Sequence, residues 1–519
     1  MIVLIPSVFL LLGAAAMLGL AYFKPGFRYH WLVAVGAAGL SWLGVWFLRG
    51  QIPQALVIAN WGIGELASSS PVLLADEVSW PFLLALPTLA LAVILSDVGR
   101  VGEARWSAWA GELSLTALGL LAVMGGNILT FVMFWTVIDI VELGLLLRQS
   151  GDIRFRQKVL RFFAANLMGT LLVIWAYLVS VAGGIPFSFT VMAPSTAVLL
   201  LLAVGIRLGV LPLQAVFLQE IAKRRGRGTI LRLVPPTSSL ILAARLTGLQ
   251  LSPVWEAVLL VLIGIAAVYA AVAWWRARDE LRGRRLFVLA VSSLALASAV
   301  RGQQAACLAW STALLYCGGT LFLYSARSPL LRWIPLLALL NLSSLFLTPT
   351  APGAGLYGPP FSIFTLVFLA AQAYLLAGFA RHTWRSGETI SGTERWVPVV
   401  YTLGLAVMPV TQLATGRLII PQGPMPLWPG IVVLLGISAG VLYFKKGRHI
   451  PGETFETLDK IFSLNWLYTW LERSAAPVSR GLQALAGLLE GEGGVLWAFL
   501  LISLLVSLIV QGSAGAGGL

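Results

Sequence analysis

AVGIRLGVLPLQAVFLQEIAKRRGRGTILRLVPPTSSLILAARL, residues 203–246, is the stretch on which the fold turns. An apolar run carries a charge, Arg207, and five residues on meets Pro212, followed by Leu213 and Gln214. A basic turn follows, and a second apolar run opens with Arg232 and the pair Pro235-Pro236. Both an arginine and a helix-breaking proline are costly in hydrocarbon, and both are tolerated where they line a cavity or a path. The stretch therefore predicts transmembrane helices interrupted at Pro212 and at Pro235-Pro236, with polar groups facing inward.

The rest of the chain agrees. Of 519 residues, 59% are hydrophobic and 11% charged, and the mean hydropathy is +0.89. Such a composition defines an all-α polytopic membrane protein. Sixteen spans are predicted: 2–22, 31–48, 80–97, 109–126, 128–147, 158–183, 195–219, 229–249, 254–276, 285–301, 304–325, 330–347, 360–381, 396–414, 428–444 and 493–511. The first span lacks a basic leader and a clear cleavage site and is long enough to cross, so it reads as a transmembrane helix rather than a signal peptide.

The net charge is +14, from 35 basic and 21 acidic residues. Nucleic acid is not implied, because the basic residues cluster in short loops on one side, as positive-inside topology requires. Lys24, Arg28, Arg154, Arg156, Lys223, Arg224, Arg225, Arg276, Arg278, Arg284, Arg285 and Lys446 share that cytoplasmic side, whereas the opposite side holds little beyond Arg49 and Arg417. Sixteen spans then place both termini outside a cell (plasma) inner membrane. The outer segment 51–79 reads equally as a short hairpin or a plain loop. The inner segment 454–494 alternates Phe455, Ile461, Phe462, Trp466 and Trp470 with Asp459, Lys460 and Glu472, the pattern of an amphipathic surface helix. Residues 1–444 thus form a bundle, 445–492 an amphipathic connector and 493–519 a final anchor and tail.

Redox chemistry finds no foothold. Cys307 and Cys317 lie ten residues apart in one predicted helix, about 15 Å along its axis and too far for a disulfide. His30, His382 and His449 fall near span ends, and neither a Walker loop, a dinucleotide fingerprint nor a zinc spacing is present in a credible context. No cofactor is expected in this chain.

Several motifs together resemble the antiporter-like membrane subunits of respiratory complex I, shared with multisubunit cation/proton antiporters and membrane-bound hydrogenases. Asp76-Glu77-Val78-Ser79-Trp80 is similar to the family's entry to its third span, and Asn127 to Phe131 with Phe134-Trp135 to the opening of its fifth. Lys158 to Gly169 resembles the sixth, Arg207 with Pro212-Leu213-Gln214 the broken seventh, and Asp279 to Ser293 the basic turn into a later span. Gly358-Pro359-Pro360-Phe361-Ser362 is similar to the second break, at Pro360. Sixteen spans with an amphipathic segment before the last match the family's largest members.

The resemblance implies a membrane subunit of a complex I-like, NADH-quinone oxidoreductase-type translocase. Other membrane subunits would be its partners, and any flavin, iron–sulfur cluster or quinone would belong to them. It also implies ion movement along a mid-membrane axis of one glutamate and several lysines or histidines. This chain departs from that axis. Thr136 stands at the glutamate position after Trp135; Asp139 and Glu142 follow on one helical face. Arg207 replaces the lysine, Leu231 or Arg232 takes the histidine position, Thr237 falls near another lysine, and Val367 or a neighbour stands where a further lysine is expected. The six lysines, Lys24, Lys158, Lys223, Lys445, Lys446 and Lys460, all lie near the cytoplasmic side. Arginine does not release its proton under these conditions, so the candidate path reduces to Asp139, Glu142, Arg207 and Arg232. Read functionally these form a proton site; read structurally Arg207 is a counter-ion that fixes helix packing and Arg232 an interface residue. The same fold without conduction would be a scaffold subunit, and a third reading is the ion-coupling component of an uptake system for a small solute such as inorganic carbon.

Overall fold

The computed structural model describes residues 2–58, 70–99, 106–148, 153–184, 187, 189, 192–211, 225–249, 251–325, 330–359, 361–385, 394–419, 428–445 and 473. The predicted amphipathic segment 454–494, apart from Arg473, and the span 493–511 lie outside the described residues, as do Pro212 and Pro360.

A backbone in lipid must satisfy its own polar groups, so long apolar runs fold as helices. Among the described residues there are fifteen α-helices: α1 Ile5–Phe23, α2 His30–Arg49, α3 Trp80–Asp97, α4 Trp106–Val123, α5 Ile128–Leu147, α6 Ile153–Ala182, α7 Pro194–Leu208, α8 Arg225–Arg245, α9 Pro253–Arg276, α10 Glu280–Val300, α11 Gln304–Leu323, α12 Trp333–Asn341, α13 Ile363–Thr383, α14 Trp396–Ile419 and α15 Trp428–Lys445. Eleven helices are long and apolar enough to cross a membrane, which makes the protein polytopic. Their starts carry legible signals. Pro6, Pro81, Pro194 and Pro253 sit in first turns, where a missing N–H costs nothing. Asn127 and Asp279 cap α5 and α10 by accepting from Thr130 and Arg282 backbone N–H groups at 3.0 and 2.7 Å.

The core lies along α3, α8, α10 and α11: α11 is buried throughout, whereas α2 and α6 bury only a third or less of their apolar windows. At one end, β1 Gln54–Val57 pairs antiparallel with β2 Val72–Ala75, Gln54 opposite Ala75, so the outer segment is a hairpin at its base. An ion pair of Arg245 with Asp76, 2.8 Å, ties α8 to this end. Asp76 and Ser79 exchange side-chain and backbone hydrogen bonds at 2.8 and 2.9 Å to seat α3. At the other end, rich in basic turns, Arg225 pairs with Glu280 at 2.8 Å and donates to the carbonyls of Phe322 and Tyr324.

Three expectations are corrected. The span predicted at 195–219 ends as α7 at Leu208, where Gly209 turns left-handed at φ +73°; the Val210 and Leu211 N–H groups then fold back onto the Gly205 carbonyl at 2.8 and 3.0 Å. That wrap is a glycine-type helix stop, reached before Pro212. Pro235 and Pro236 do not break α8, which runs through them. Their missing N–H groups instead deprive the Leu231 and Arg232 carbonyls of helical donors. The span predicted at 330–347 is helical only as α12, nine residues long. Chain without α-helix follows, exposed at Phe346 and Leu347 and otherwise largely buried, with positive φ at Ser344 and Leu347 and a 3-10 stretch Ala351–Tyr357, until Ser362 caps α13. The second interruption therefore begins at Leu342, well before Pro360.

Candidate functional site

Helix α5 sets the site. Its period places Phe131, Trp135, Ile138, Asp139 and Glu142 inward. Thr136 faces outward and donates to its own helix, at the Val132 carbonyl, 2.8 Å. The inward acid is therefore Asp139, about 16 Å of helix from the start of α5 and about 12 Å from its end. Arg207 of α7 meets it with two parallel bonds: Nη1 to Oδ2 at 2.7 Å and Nη2 to Oδ1 at 2.8 Å. The side chains are 3% and 4% exposed, so the pair is sealed.

Its surroundings complete the seal. Asn166 of α6 donates to Asp139 Oδ1 at 3.2 Å, and Arg207 Nη1 also reaches the Asn166 carbonyl and the Thr170 hydroxyl, both at 3.2 Å. The guanidinium carbon lies 4.3 Å from the Trp135 ring centre. Trp135 in turn meets Phe131 edge-on, and Phe131 meets Phe189, forming an aromatic plug toward the hairpin end. Gly169 lets α6 approach so closely: a Cβ there would stand 2.6 Å from Arg207 Cγ.

Glu142 sits one turn toward the basic end and is treated differently. It is 2% exposed, and its Oε2 has no hydrogen-bond partner. It lines a cavity of about 110 Å³ together with Asn166, Arg207, Arg232, Pro235, Pro236, Ser239 and Arg285. The charges bearing on Glu142 are Arg232, Asp139 and Arg207. Arg232, read from sequence as an interface residue, thus stands at this cavity. Leu231 and Arg232, one turn before the proline pair, belong to the same wall. The cavity has room for roughly three or four waters. Of the four predicted path residues, the structure brings Asp139 and Arg207 into one pair and Glu142 and Arg232 to one cavity. Asn166, Thr170 and Arg285 were not singled out for the path. A lone amide in an otherwise apolar run was the available signal for Asn166; Arg285 looked like an ordinary basic-turn residue.

The second interruption is polar but uncharged. Gln372 of α13 donates to Ser344 Oγ at 3.2 Å and accepts from Tyr357 OH at 2.5 Å. Asn341, at the end of α12, donates to Gln412 Oε1 and to the Pro409 carbonyl, both at 3.2 Å, and Cys317 donates to the same Gln412 oxygen at 3.2 Å. Thr350 closes onto the Asn341 carbonyl at 2.5 Å. These groups satisfy a chain that has left helical geometry inside the bundle. Among the described residues there is no cluster of three or more His, Cys, Asp or Glu suited to a metal.

Among the described residues the chain is a helical membrane bundle with a buried charged pair beside its first interruption. Solved structures of membrane complexes match it over most of its length. The archaeal membrane-bound sulfane sulfur reductase, a respiratory membrane complex, contains a chain that aligns with a TM-score of 0.64 at 14% identity, over 98% of this chain and 99% of that one. A chain of the Mrp complex from Dietzia sp. aligns with a TM-score of 0.69 at 16% identity; 99% of this chain covers 63% of that one. A chain of respiratory complex I from Thermus thermophilus aligns with a TM-score of 0.61 at 19% identity, over 85% and 99%. The fold is therefore that of the antiporter-like membrane subunits, reached at a sequence distance where the chain matches no protein-family model and no curated protein.

Proposed function

We propose that this chain is a non-redox membrane subunit of a multisubunit, complex I-like respiratory or redox complex in an inner membrane, and that it moves protons through a modified axis. The observation that carries the reading is Glu142: a buried carboxyl with an unpartnered oxygen, on a cavity one turn from the Asp139–Arg207 pair. A carboxyl so placed can take or give a proton, and an intramembrane ionisable group is a functional candidate by default. In this reading protons enter from the basic-turn end through the cavity. Glu142 holds one, and Asp139, oriented by its two bonds from Arg207, receives it only when the pair opens. Electron-carrying groups belong to partner subunits.

The test is Glu142→Gln in the native complex. Proton uptake by sealed vesicles is expected to fall roughly 100-fold, the scale of losing one positioned proton carrier, while the complex still assembles. Unchanged uptake refutes it. A scaffold reading has its own support, since Arg207 cannot release a proton and the second interruption carries no charge. It predicts unchanged uptake and loss of assembly only when packing is broken.

A further inference from the structure

Asp139 is not among the residues that line the cavity beside Glu142. Among the described residues its carboxylate is bonded by Arg207 and Asn166, and both of these do line the cavity. They stand between the cavity and Asp139. A guanidinium does not give up its proton, and drawing it off an ionised, buried carboxylate strands two charges. Asn166 is neutral, 4% exposed, and makes one side-chain bond, from Nδ2 to Asp139 Oδ1 at 3.2 Å. Its amide oxygen accepts no hydrogen bond among the described residues.

We infer that Asn166 is a positioning residue for proton transfer, whose amide separates Asp139 from the cavity and bonds that acid in both of its protonation states. The inference rests on the reading of Glu142 as the group that holds the proton. An ionised carboxylate only accepts hydrogen bonds, whereas a protonated carboxyl also donates one; a primary amide carries a donor and an acceptor on one planar group. With Asp139 ionised, the Asn166 Nδ2 donates to it, which is the observed contact. When the pair opens and a proton arrives, a turn of the amide about its last side-chain bond presents the amide oxygen to the new O–H. In the step itself the Glu142 O–H bond breaks, cavity water takes that proton and hands on another, and an O–H bond forms on Asp139 Oδ1. Glu142 ends as a carboxylate and Asp139 as a neutral acid, so charge is conserved. Asn166 carries no proton and fixes where the transfer occurs.

The same turn of α6 provides for the cation. Once Asp139 is neutral, Arg207 has lost its counter-charge and depends on other acceptors. Its Nη1 already reaches the Asn166 carbonyl and the Thr170 hydroxyl, both at 3.2 Å. The Thr170 hydroxyl donates to that carbonyl at 3.4 Å, so the two acceptors form one unit. Gly169 lies between them, and a Cβ there would stand 3.1 Å from the Ala203 carbonyl oxygen, so the glycine keeps α6 against α7. Residues 166–170 therefore serve the carboxyl with a side-chain amide and the guanidinium with a carbonyl and a hydroxyl. An apolar side chain at position 166 would keep the backbone acceptor, forfeit the amide and interpose hydrocarbon between cavity water and Asp139.

Proton uptake by sealed vesicles holding the native complex, expressed per assembled complex, tests this. Asn166→Leu keeps a branched side chain of similar shape without its polar atoms, and uptake should fall roughly 100-fold, the scale of a mispositioned transfer. Asn166→Met, unbranched and adaptable, carries the same expectation and replaces it where the leucine variant does not assemble. Asn166→Ser keeps a group that donates and accepts and leaves room for a water, so uptake should stay within about threefold of the wild type. A role in packing alone gives the reverse order, because serine leaves a void that leucine or methionine fills. Wild-type uptake in the apolar variants, or uptake in Asn166→Ser no better than theirs, overturns the inference. Glu142→Gln in the same vesicles separates the two claims. If it loses uptake while the apolar variants keep theirs, the Glu142 reading stands and the role of Asn166 falls. If it transports normally while the apolar variants fail and serine rescues, the Glu142 reading falls and Asn166 remains the approach to Asp139.

Discussion

The Asp139–Arg207 pair is open to a quantitative test through a double-mutant cycle of Asp139→Asn and Arg207→Gln. Both side chains are under 5% exposed, so no solvent screening discounts their interaction. Removing one partner of such a pair leaves an uncompensated buried charge, about 3–5 kcal/mol. Asp139→Asn belongs near the lower figure, because Asn keeps an acceptor for Arg207 and leaves the stack on Trp135 intact. Arg207→Gln belongs near the upper figure, since it also forfeits a desolvated cation–π contact of about 2 kcal/mol. The double variant leaves two neutral amides able to bond each other and should cost only about 2–4 kcal/mol. The coupling energy is then about 5 kcal/mol, roughly a several-thousand-fold change in the unfolding equilibrium. Equilibrium unfolding from mixed micelles by a denaturing detergent measures it. Single costs below about 1 kcal/mol that add within about 0.5 kcal/mol would show that the pair does not hold these helices together.

Asp76→Ala removes both the partner of Arg245 and the reciprocal bonds with Ser79; it should cost about 2–4 kcal/mol and lower the thermal unfolding midpoint, with Asp76→Asn intermediate. Gln372→Leu strands the Tyr357 hydroxyl and removes the donor to Ser344, about 1–3 kcal/mol for the stranded group; adding Tyr357→Phe should recover part of the loss in the same unfolding assay. Gly378→Ala sets a Cβ 2.6 Å from Trp274 Cδ1 and 3.0 Å from the Trp275 backbone, so a destabilisation of about 1–3 kcal/mol from overpacking should appear as a lowered unfolding midpoint.

Most of the bundle was legible because its signals are local. The predicted span 128–147 coincides with α5, whose cap Asn127 stands just before the apolar run. What failed depended on partners distant in sequence. Residues 342–347 continue the apolar run, broken only by Ser343 and Ser344, a weak local signal for the end of α12. The bonds that hold the non-helical chain there come from Gln372, 28 and 29 positions away at Ser344 and Ser343. Pro235-Pro236 is a breaker by local rule, yet tertiary packing carries α8 through it. Asp139 and Glu142 were visible as one inward face. Their separation into a sealed pair and a cavity-facing acid was not, because it is set by which neighbouring helix brings an arginine to which carboxyl.

The two interruptions differ in chemistry, and the difference bears on where a proton can go. The first has carboxyls and guanidinium groups beside it; the second is held by amides, hydroxyls and a thiol. Amides do not titrate, and serine or threonine hydroxyls only relay hydrogen bonds, so a charge arriving at Gln372 or Gln412 would find no group to hold it and a low-dielectric surround to repel it. Under the proposed function the proton is held by Glu142 and passed to Asp139. Toward the hairpin end these acids meet the Phe131–Trp135–Phe189 plug, whereas toward the basic turns Glu142 meets a cavity. Under the proposed function, translocation requires the Arg207 clamp to leave Asp139 and Trp135 together, since the same guanidinium pairs with the acid and stacks on the Trp135 ring. One side chain thereby joins the charge of the site to its closure, and a partner subunit that draws on Arg207 would control both.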